Sequence, residues 1–246
     1  MKTPRPVYIV GGSRTPFVKS MTAYTGVTTQ DLMTASLTNL VEKFHLQGVM
    51  AGDVALGGTI RHGLDFDFAR ECVLGSPLSP YTPGYSVQRA CGSSLETTWE
   101  IALKIANQDL EMGITGGIDT NSDLPIELSQ NLTQKLLKLH NAKTFGDKMK
   151  VFFSLRPSDI KLRFPAVQEP RTGLSMGEHT EKMVKEWKIS REAQDNLALL
   201  SHQHAEKAWQ SGFYNDLVFE FNGQKKDGVV RGDTSLEKTR QIKTRL

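Results

Sequence analysis

Short apolar runs closed by glycine alternate with amphipathic stretches through the first half of the chain. "VYIVGG" (7–12) is such a run and predicts a strand. "TTQDLMTASLTNLVEKF" (28–44) predicts a helix, with Leu32, Ala35, Leu40 and Phe44 on one stripe. Thr28 stands three residues before Asp31, the spacing of a capping box. "DVALGGTI" (53–60) predicts a second strand and "DFARECVLG" (67–75) a short helix stopped at Gly75. Three prolines in "PLSPYTPG" interrupt the pattern before "YSVQ", another strand.

From Leu95 the pattern turns helical and strongly apolar. Leu95, Trp99, Ala102, Leu103 and Ala106 share a face that Ile101 and Ile105 widen. Only Glu96, Glu100 and Lys104 form a polar stripe, so this helix is expected to be mostly buried. "EMGITGGID" (111–119) closes the series as a glycine-rich strand. Strand and helix thus alternate to about residue 120, which predicts an α/β layered fold with a mainly parallel sheet.

The second half reads differently. Between 131 and 163, Lys135, Lys138, Lys143, Lys148, Lys150, Arg156, Lys161 and Arg163 face only Asp147 and Asp159. Leucines and phenylalanines are interleaved, with Leu132, Leu136 and Leu139 on one helical side. Such a basic amphipathic segment has two readings: a docking surface for an anionic membrane or a partner subunit, or helices packed on their own core. Helices follow at about 176–188 and 191–211. Ser190 caps the second, Glu192 lies in its first turn and Gly212 ends it. "LVFEF" (217–221) predicts a strand.

Composition narrows this only modestly. The chain has 246 residues and net charge +3, too mild for a nucleic-acid partner. Its two cysteines, Cys72 and Cys91, form no disulfide framework, which points to a reducing, cytoplasmic setting. No stretch is long enough for a signal core or a membrane span. His202 and His204 stand two apart on a helix and point to different sides, a poor metal pair.

The chemistry centres on "SVQRACGSSLE" (86–96), where Cys91 lies between a strand and a helix among small residues. A helix N-terminus lowers a thiol pKa, and its free N–H groups can hold an oxyanion. Cys91 is therefore either a reactive thiolate or a small inert core residue. Cys72, beside Val73 and Leu74 in a helical pattern, reads as core.

That stretch, with "GITGGIDTNSDLP" (113–125), resembles the nucleophile region of the thiolases. "TGLSMGEHTEKMVKEWKISREAQDNLALLSHQHAEKA" (172–208) resembles their loop domain, and "SRTPF" (13–17) and "RGDTSLEK" (231–238) fit as well. "LRPSDIKLRFPAV" (155–167) is similar to bacterial fatty-oxidation thiolases that pair with a hydratase/dehydrogenase subunit. The resemblance implies an α/β thiolase half at 1–125 carrying the nucleophile, and a mostly helical, CoA-facing loop domain at 126–246. It implies thiolysis of 3-ketoacyl-CoA through an acyl-cysteine at Cys91, with coenzyme A as substrate and no further cofactor or metal. It places Ser175 and Met176 on the pantetheine path and Arg231 near the CoA nucleotide. It also implies a homodimer or higher oligomer, in which the strand before the nucleophile pairs across the dimer.

After Lys238 the chain departs from the family pattern. The family's C-terminal half, with its Gly-His-Pro, Cys-x-Gly and Asn- or His-containing motifs, is not matched. A second expectation therefore stands beside the first: a non-catalytic relative that keeps a CoA-binding or subunit-binding surface.

Overall fold

The computed structural model describes residues 4–63, 65–165 and 168–242. The chain forms two compact units, Met1–Asp123 with Met176–Leu246, and Leu124–Ser175. This division differs from the one read in the sequence at residue 125. The stretch from 176 returns to the first unit because specific contacts hold it there. Arg14 N–H donates to Leu217 O, Phe219 N–H donates to Arg14 O, and Arg14 forms a two-pronged pair with Asp227 at 2.8 Å.

The first unit opens with α1, Thr29–Lys43, and its start is chemically fixed. Thr28 Oγ1 accepts the Asp31 N–H while Asp31 accepts the Thr28 N–H, which completes the capping box. Next come β1 (Val54–Gly57), α2 (Phe68–Leu74), β2 (Gly84–Val87), α3 (Ser93–Ala106) and β3 (Ile114–Gly117). The three strands form one parallel sheet in the order β2-β1-β3. β1 is buried along its whole length, as befits a central strand covered on both faces. The core lies between it, α1 and α2: Met33, Leu37, Val41, Leu56, Cys72 and Val73. Each such side chain contributes about 1.5–3 kcal/mol on burial.

Three expectations fail in this unit. Residues 7–12 join no sheet among the described residues, and Tyr8, Ile9 and Val10 are 77–87% exposed. An apolar, β-prone run forms a strand only where a neighbour pairs with it. Residues 217–221 make isolated bridges, Arg14 with Val218 and Phe221 with Gln224, rather than a strand. α3 is half open: Ser93, Thr97 and Ile101 are buried, whereas Leu95, Trp99 and Leu103 are 51–75% exposed. The sheet covers one face of this helix and nothing among the described residues covers the other.

The rest of the first unit is α6 (Met176–Glu186), α7 (Arg191–Gln210) and α8 (Leu236–Arg240). Ser190 Oγ accepts the Ala193 N–H to cap α7, and Gly212 beyond its end adopts a left-handed φ of +74°.

In the second unit β4 (Glu127–Leu128) pairs antiparallel with β5 (Leu162–Arg163), and α4 (Gln130–Asn141) packs on α5 (Phe145–Phe153). A buried carboxylate ties it together. Asp159 accepts from Lys135 Nζ at 2.6 Å and from the Arg156 N–H at 2.8 Å. α5 buries none of its residues, and Phe145, Phe152 and Phe153 are exposed. Among the described residues no helix is long and apolar enough to cross a membrane.

Candidate active site

The parallel register brings Gly57, Val87 and Gly117 level at the carboxyl ends of the three strands. Just beyond β2 the chain turns through Arg89, Ala90, Cys91 and Gly92 into α3. Cys91 therefore stands outside the carboxyl edge of a parallel sheet, where open α/β folds place their chemistry. It is exposed, while Cys72 is buried in α2.

The turn is held in a strained shape. Ala90 adopts φ +46°, a left-handed conformation that costs a non-glycine residue about 1–2 kcal/mol. Ser93, 3% exposed, pays that cost back through hydrogen bonds. Its Oγ accepts the Arg89 N–H at 2.8 Å and donates to Ala90 O at 2.6 Å. The Gly92 N–H donates to Arg89 O and the Ser93 N–H to Ala90 O, both at 3.1 Å. The result is a tight loop that presents Cys91 outward.

Two glycines let the helix start sit on the strand ends. A Cβ on Gly57 would fall 2.7 Å from the Ser93 Cβ, and one on Gly117 would fall 2.4 Å from the Ser94 Cβ. Only glycine at these strand ends allows so close an approach. α1, α4, α5 and α7 each carry a hydroxyl cap. At α3 the cap residue is Gly92, which supplies no side-chain acceptor, so the helix's positive end stays open beside Cys91.

The loop after β1 is pinned against the same edge. Asp119 accepts the Thr59 and Ile60 N–H groups at 2.9 and 2.7 Å. Arg61 donates to Val87 O and Gln88 to Thr59 O, each at 3.2 Å. His62 pairs with Asp123 at 3.0 Å. Burial pushes the Cys72 thiol up to about 11, so the second cysteine is held neutral.

The other sequence-predicted residues lie on other elements. Ser175 closes a hairpin of the second unit through its bridge with Gln168, and Met176 opens α6 with its side chain exposed. Arg231 is exposed, and its N–H donates to His202 Nδ1 at 3.2 Å. His202 thus holds the Arg231 turn through its ring nitrogen. Among the described residues no hydrogen bond or ion pair joins Cys91, Met176 and Arg231.

Sequence reasoning missed the roles of Ser93, Ala90, Gly57 and Gly117. The small-residue run "ACGSS" and the double glycines of "ALGG" and "ITGG" were the available trace. Neither reveals a positive φ or a helix resting on strand ends.

Known proteins resemble this chain in sequence and fold. A 3-ketoacyl-CoA thiolase of Yersinia pestis (bv. Antiqua, strain Angola) is 36% identical over 236 residues, spanning 91% of this chain and 54% of its own length. That of Y. pestis strain Pestoides F is 39% identical over 212 residues, 86% and 49% respectively. The chain spans about half the length of the curated relatives it matches. Among solved structures, the acetyl-CoA acetyltransferase of Bacillus anthracis superposes with TM-score 0.76 at 25% identity, over 96% of this chain and 57% of its own. Human mitochondrial 3-ketoacyl-CoA thiolase, solved with CoA, gives 0.75 at 21% identity, over 95% and 56%, a likeness of fold. Residues 7–245 match the thiolase N-terminal domain, so the cysteine turn sits on a thiolase fold and the chain belongs to the thiolase family.

Proposed function

We propose that the chain supplies the nucleophile half of an acyltransferase that cleaves 3-ketoacyl-CoA in fatty-acid β-oxidation. The observation that carries this is Cys91, exposed on a strained turn at an open helix N-terminus beyond three parallel strands. The Cys91 thiolate attacks the C3 ketone, and the C2–C3 bond breaks. Its electron pair leaves on the acetyl-CoA enolate, which takes up a proton. The acyl group now on Sγ passes to the thiol of a second coenzyme A, which loses its proton, and Cys91 is freed. Splitting the cleavage in two lowers the barrier to each step. The Cys91 backbone N–H serves as a donor to the oxyanion of the acyl transfer. Ser175 and Met176 flank the pantetheine arm and Arg231 meets CoA phosphate, where a cation suits an anion. Coenzyme A enters as substrate, without a separate cofactor.

The half-length match to relatives favours a second reading for this chain acting alone, a CoA-binding or subunit-binding module without turnover. The partners we propose are a second copy of the chain, a hydratase/dehydrogenase subunit and an anionic membrane surface met by residues 131–163. The exposed Phe145, Phe152 and Phe153 of α5, with Lys148 and Lys150 on the same short helix, support that last contact.

A thiolysis assay separates the two functional readings. The 246-residue chain is assayed with and without the portion of the Y. pestis thiolase that it does not match. The expected result is acetyl-CoA release only with that portion present, since general acid–base groups contribute about 10²–10⁴-fold each. Full activity of the chain alone contradicts the proposal that it supplies only the nucleophile half. No activity under either condition favours the module.

A further inference from the structure

Arg231 is positioned through its backbone. Its side chain is exposed, and its guanidinium makes no hydrogen bond or ion pair among the described residues. The segment that carries it spans two anchors. Upstream, Asp227 is buried on Arg14 and the Phe17 N–H, and the Gly228 N–H donates to Phe17 O at 2.9 Å. Downstream, Ser235 caps α8, and Arg191 at the start of α7 donates to Thr239 O at 2.8 Å. Between the anchors the turn lies against α7. A Cβ on Gly232 would fall 2.6 Å from the Glu206 Cγ, so glycine permits the approach. One helical turn before Glu206, the His202 ring accepts the Arg231 N–H through Nδ1 at 3.2 Å. Among the described residues this is the one hydrogen bond between residues 229–234 and α7.

That bond fixes the state of the ring. A backbone N–H only donates, so Nδ1 must offer a lone pair and the proton of the neutral ring lies on Nε2. Imidazole is the side chain that takes up a proton between about pH 5 and 8. A proton on Nδ1 turns the acceptor into a donor aimed at the Arg231 N–H, and it adds a second positive charge beside Arg231. The charged groups flanking the ring are Arg231 and Asp233 on the turn, Lys238 on α8, and Glu206 on α7 with its partner Lys226. His204, two residues on, lies on another side of the helix. Asp233 already pairs with Lys238 at 2.6 Å and Glu206 with Lys226 at 3.5 Å, so both carboxylates have a cation before the ring is charged.

We propose that His202 is the positioning residue of Arg231. Its neutral ring latches the turn onto α7 and holds the guanidinium where a CoA phosphate is met, and a proton on the ring unlatches the turn. Coenzyme A is therefore held more tightly on the alkaline side of the histidine titration. This rests on the reading of Arg231 as a CoA phosphate contact.

The test follows the Arg231 amide of the full chain by NMR and hydrogen exchange between about pH 5 and 8, with coenzyme A affinity measured by calorimetry over the same range. The Arg231 amide shift is expected to titrate with the midpoint of the His202 ring signals. Its exchange, corrected for intrinsic pH dependence, should quicken about threefold to tenfold as the ring is protonated, the worth of one net hydrogen bond. His202→Asn keeps a short-reach acceptor that does not titrate, and should abolish both changes. His202→Leu should leave the amide fast-exchanging at every pH, with circular dichroism showing that both variants fold. The phosphate of coenzyme A itself titrates near about pH 6, an effect that all the proteins share. The latch is thus read as an additional loss of affinity, about threefold to tenfold, in the unaltered chain relative to His202→Asn at low pH. An Arg231 amide that ignores the His202 titration, or that shifts equally in His202→Asn, overturns the latch. An amide that follows His202 while coenzyme A affinity is absent, or matches His202→Asn at every pH, overturns Arg231 as a CoA contact and the positioning role with it.

Discussion

Reactivity at the residue scale is divided between two cysteines by their surroundings. Cys72 is buried with its thiol pushed up to about 11, and Cys91 is exposed at an open helix start. Limited iodoacetamide treatment with peptide mapping is expected to label Cys91 at least about tenfold faster. Preferential labelling of Cys72 in folded protein would contradict the assignment. Ser93 is a positioning residue in this scheme, since it holds Arg89 and Ala90 in place without touching Sγ. Ser93→Ala is expected to cost about 1–3 kcal/mol of stability in a denaturant titration. It should also change the rate of Cys91 alkylation at a fixed pH while leaving that of Cys72 in place. Ser93→Thr, keeping the hydroxyl, should restore part of that rate. The position of Cys91 before a helix was legible in the sequence, because small residues and an apolar helix pattern flank it. The mechanism of the turn was not, since a left-handed alanine and a serine that bonds backward leave no periodic trace.

Caps and glycines made the helices readable. Thr28, Ser190, Gly75 and Gly212 mark ends that the structure reproduces. Strands were less readable where their neighbours decide. "DVALGG" and "GITGG" pair with each other, whereas "VYIVGG", also an apolar run closed by glycines, has no partner among the described residues. α3 shows the same limit, as its apolar width predicted burial while half of it faces outward. The Arg14–Asp227 pair carries a pH prediction at this scale. Burial alone would raise the Asp227 carboxyl, but the hydrogen bonds from Arg14 and the Phe17 N–H outweigh it and hold it below the ordinary range. A depressed folded pKa gives stability that is present above the unfolded value near 4. That stability is lost as pH falls through the folded one. Thermal melts should therefore drop on acidification below about pH 4. Asp227→Ala should flatten that drop and cost about 3 kcal/mol near neutrality by stranding Arg14. An unchanged acid profile in the variant would count against the pair. The basic helices permit a further test by vesicle co-sedimentation. Lys135 is committed to Asp159, so the informative charge reversal is Lys148→Glu/Lys150→Glu on α5. Binding to anionic vesicles, weakened by about 1 kcal/mol per reversed lysine and by salt, is the expected outcome. Equal binding by the variant would assign α5 to packing instead.

Apolar side chains are exposed on the α3 stripe of Leu95, Trp99 and Leu103, along the run Tyr8–Val10 and on α5. Both edges of the first unit's sheet, β2 and β3, are open among the described residues. Patches of this kind mark contact with another chain or lead to aggregation. Light scattering is expected to show association of the isolated chain, and a stable monomer at high concentration would contradict this. Family membership, the parallel α/β unit and the exposed cysteine turn agree with one another, and acyl transfer through one sulfur is the proposal they support. The most direct measurement is intact-mass and peptide analysis after incubating the chain, with the unmatched portion of the Y. pestis thiolase, with a 3-ketoacyl-CoA in the absence of free coenzyme A. An acyl adduct on the Cys91 peptide that disappears when coenzyme A is added is the predicted result. An adduct on Cys72, or turnover without any acyl-enzyme and undiminished in a Cys91→Ala variant, would contradict it.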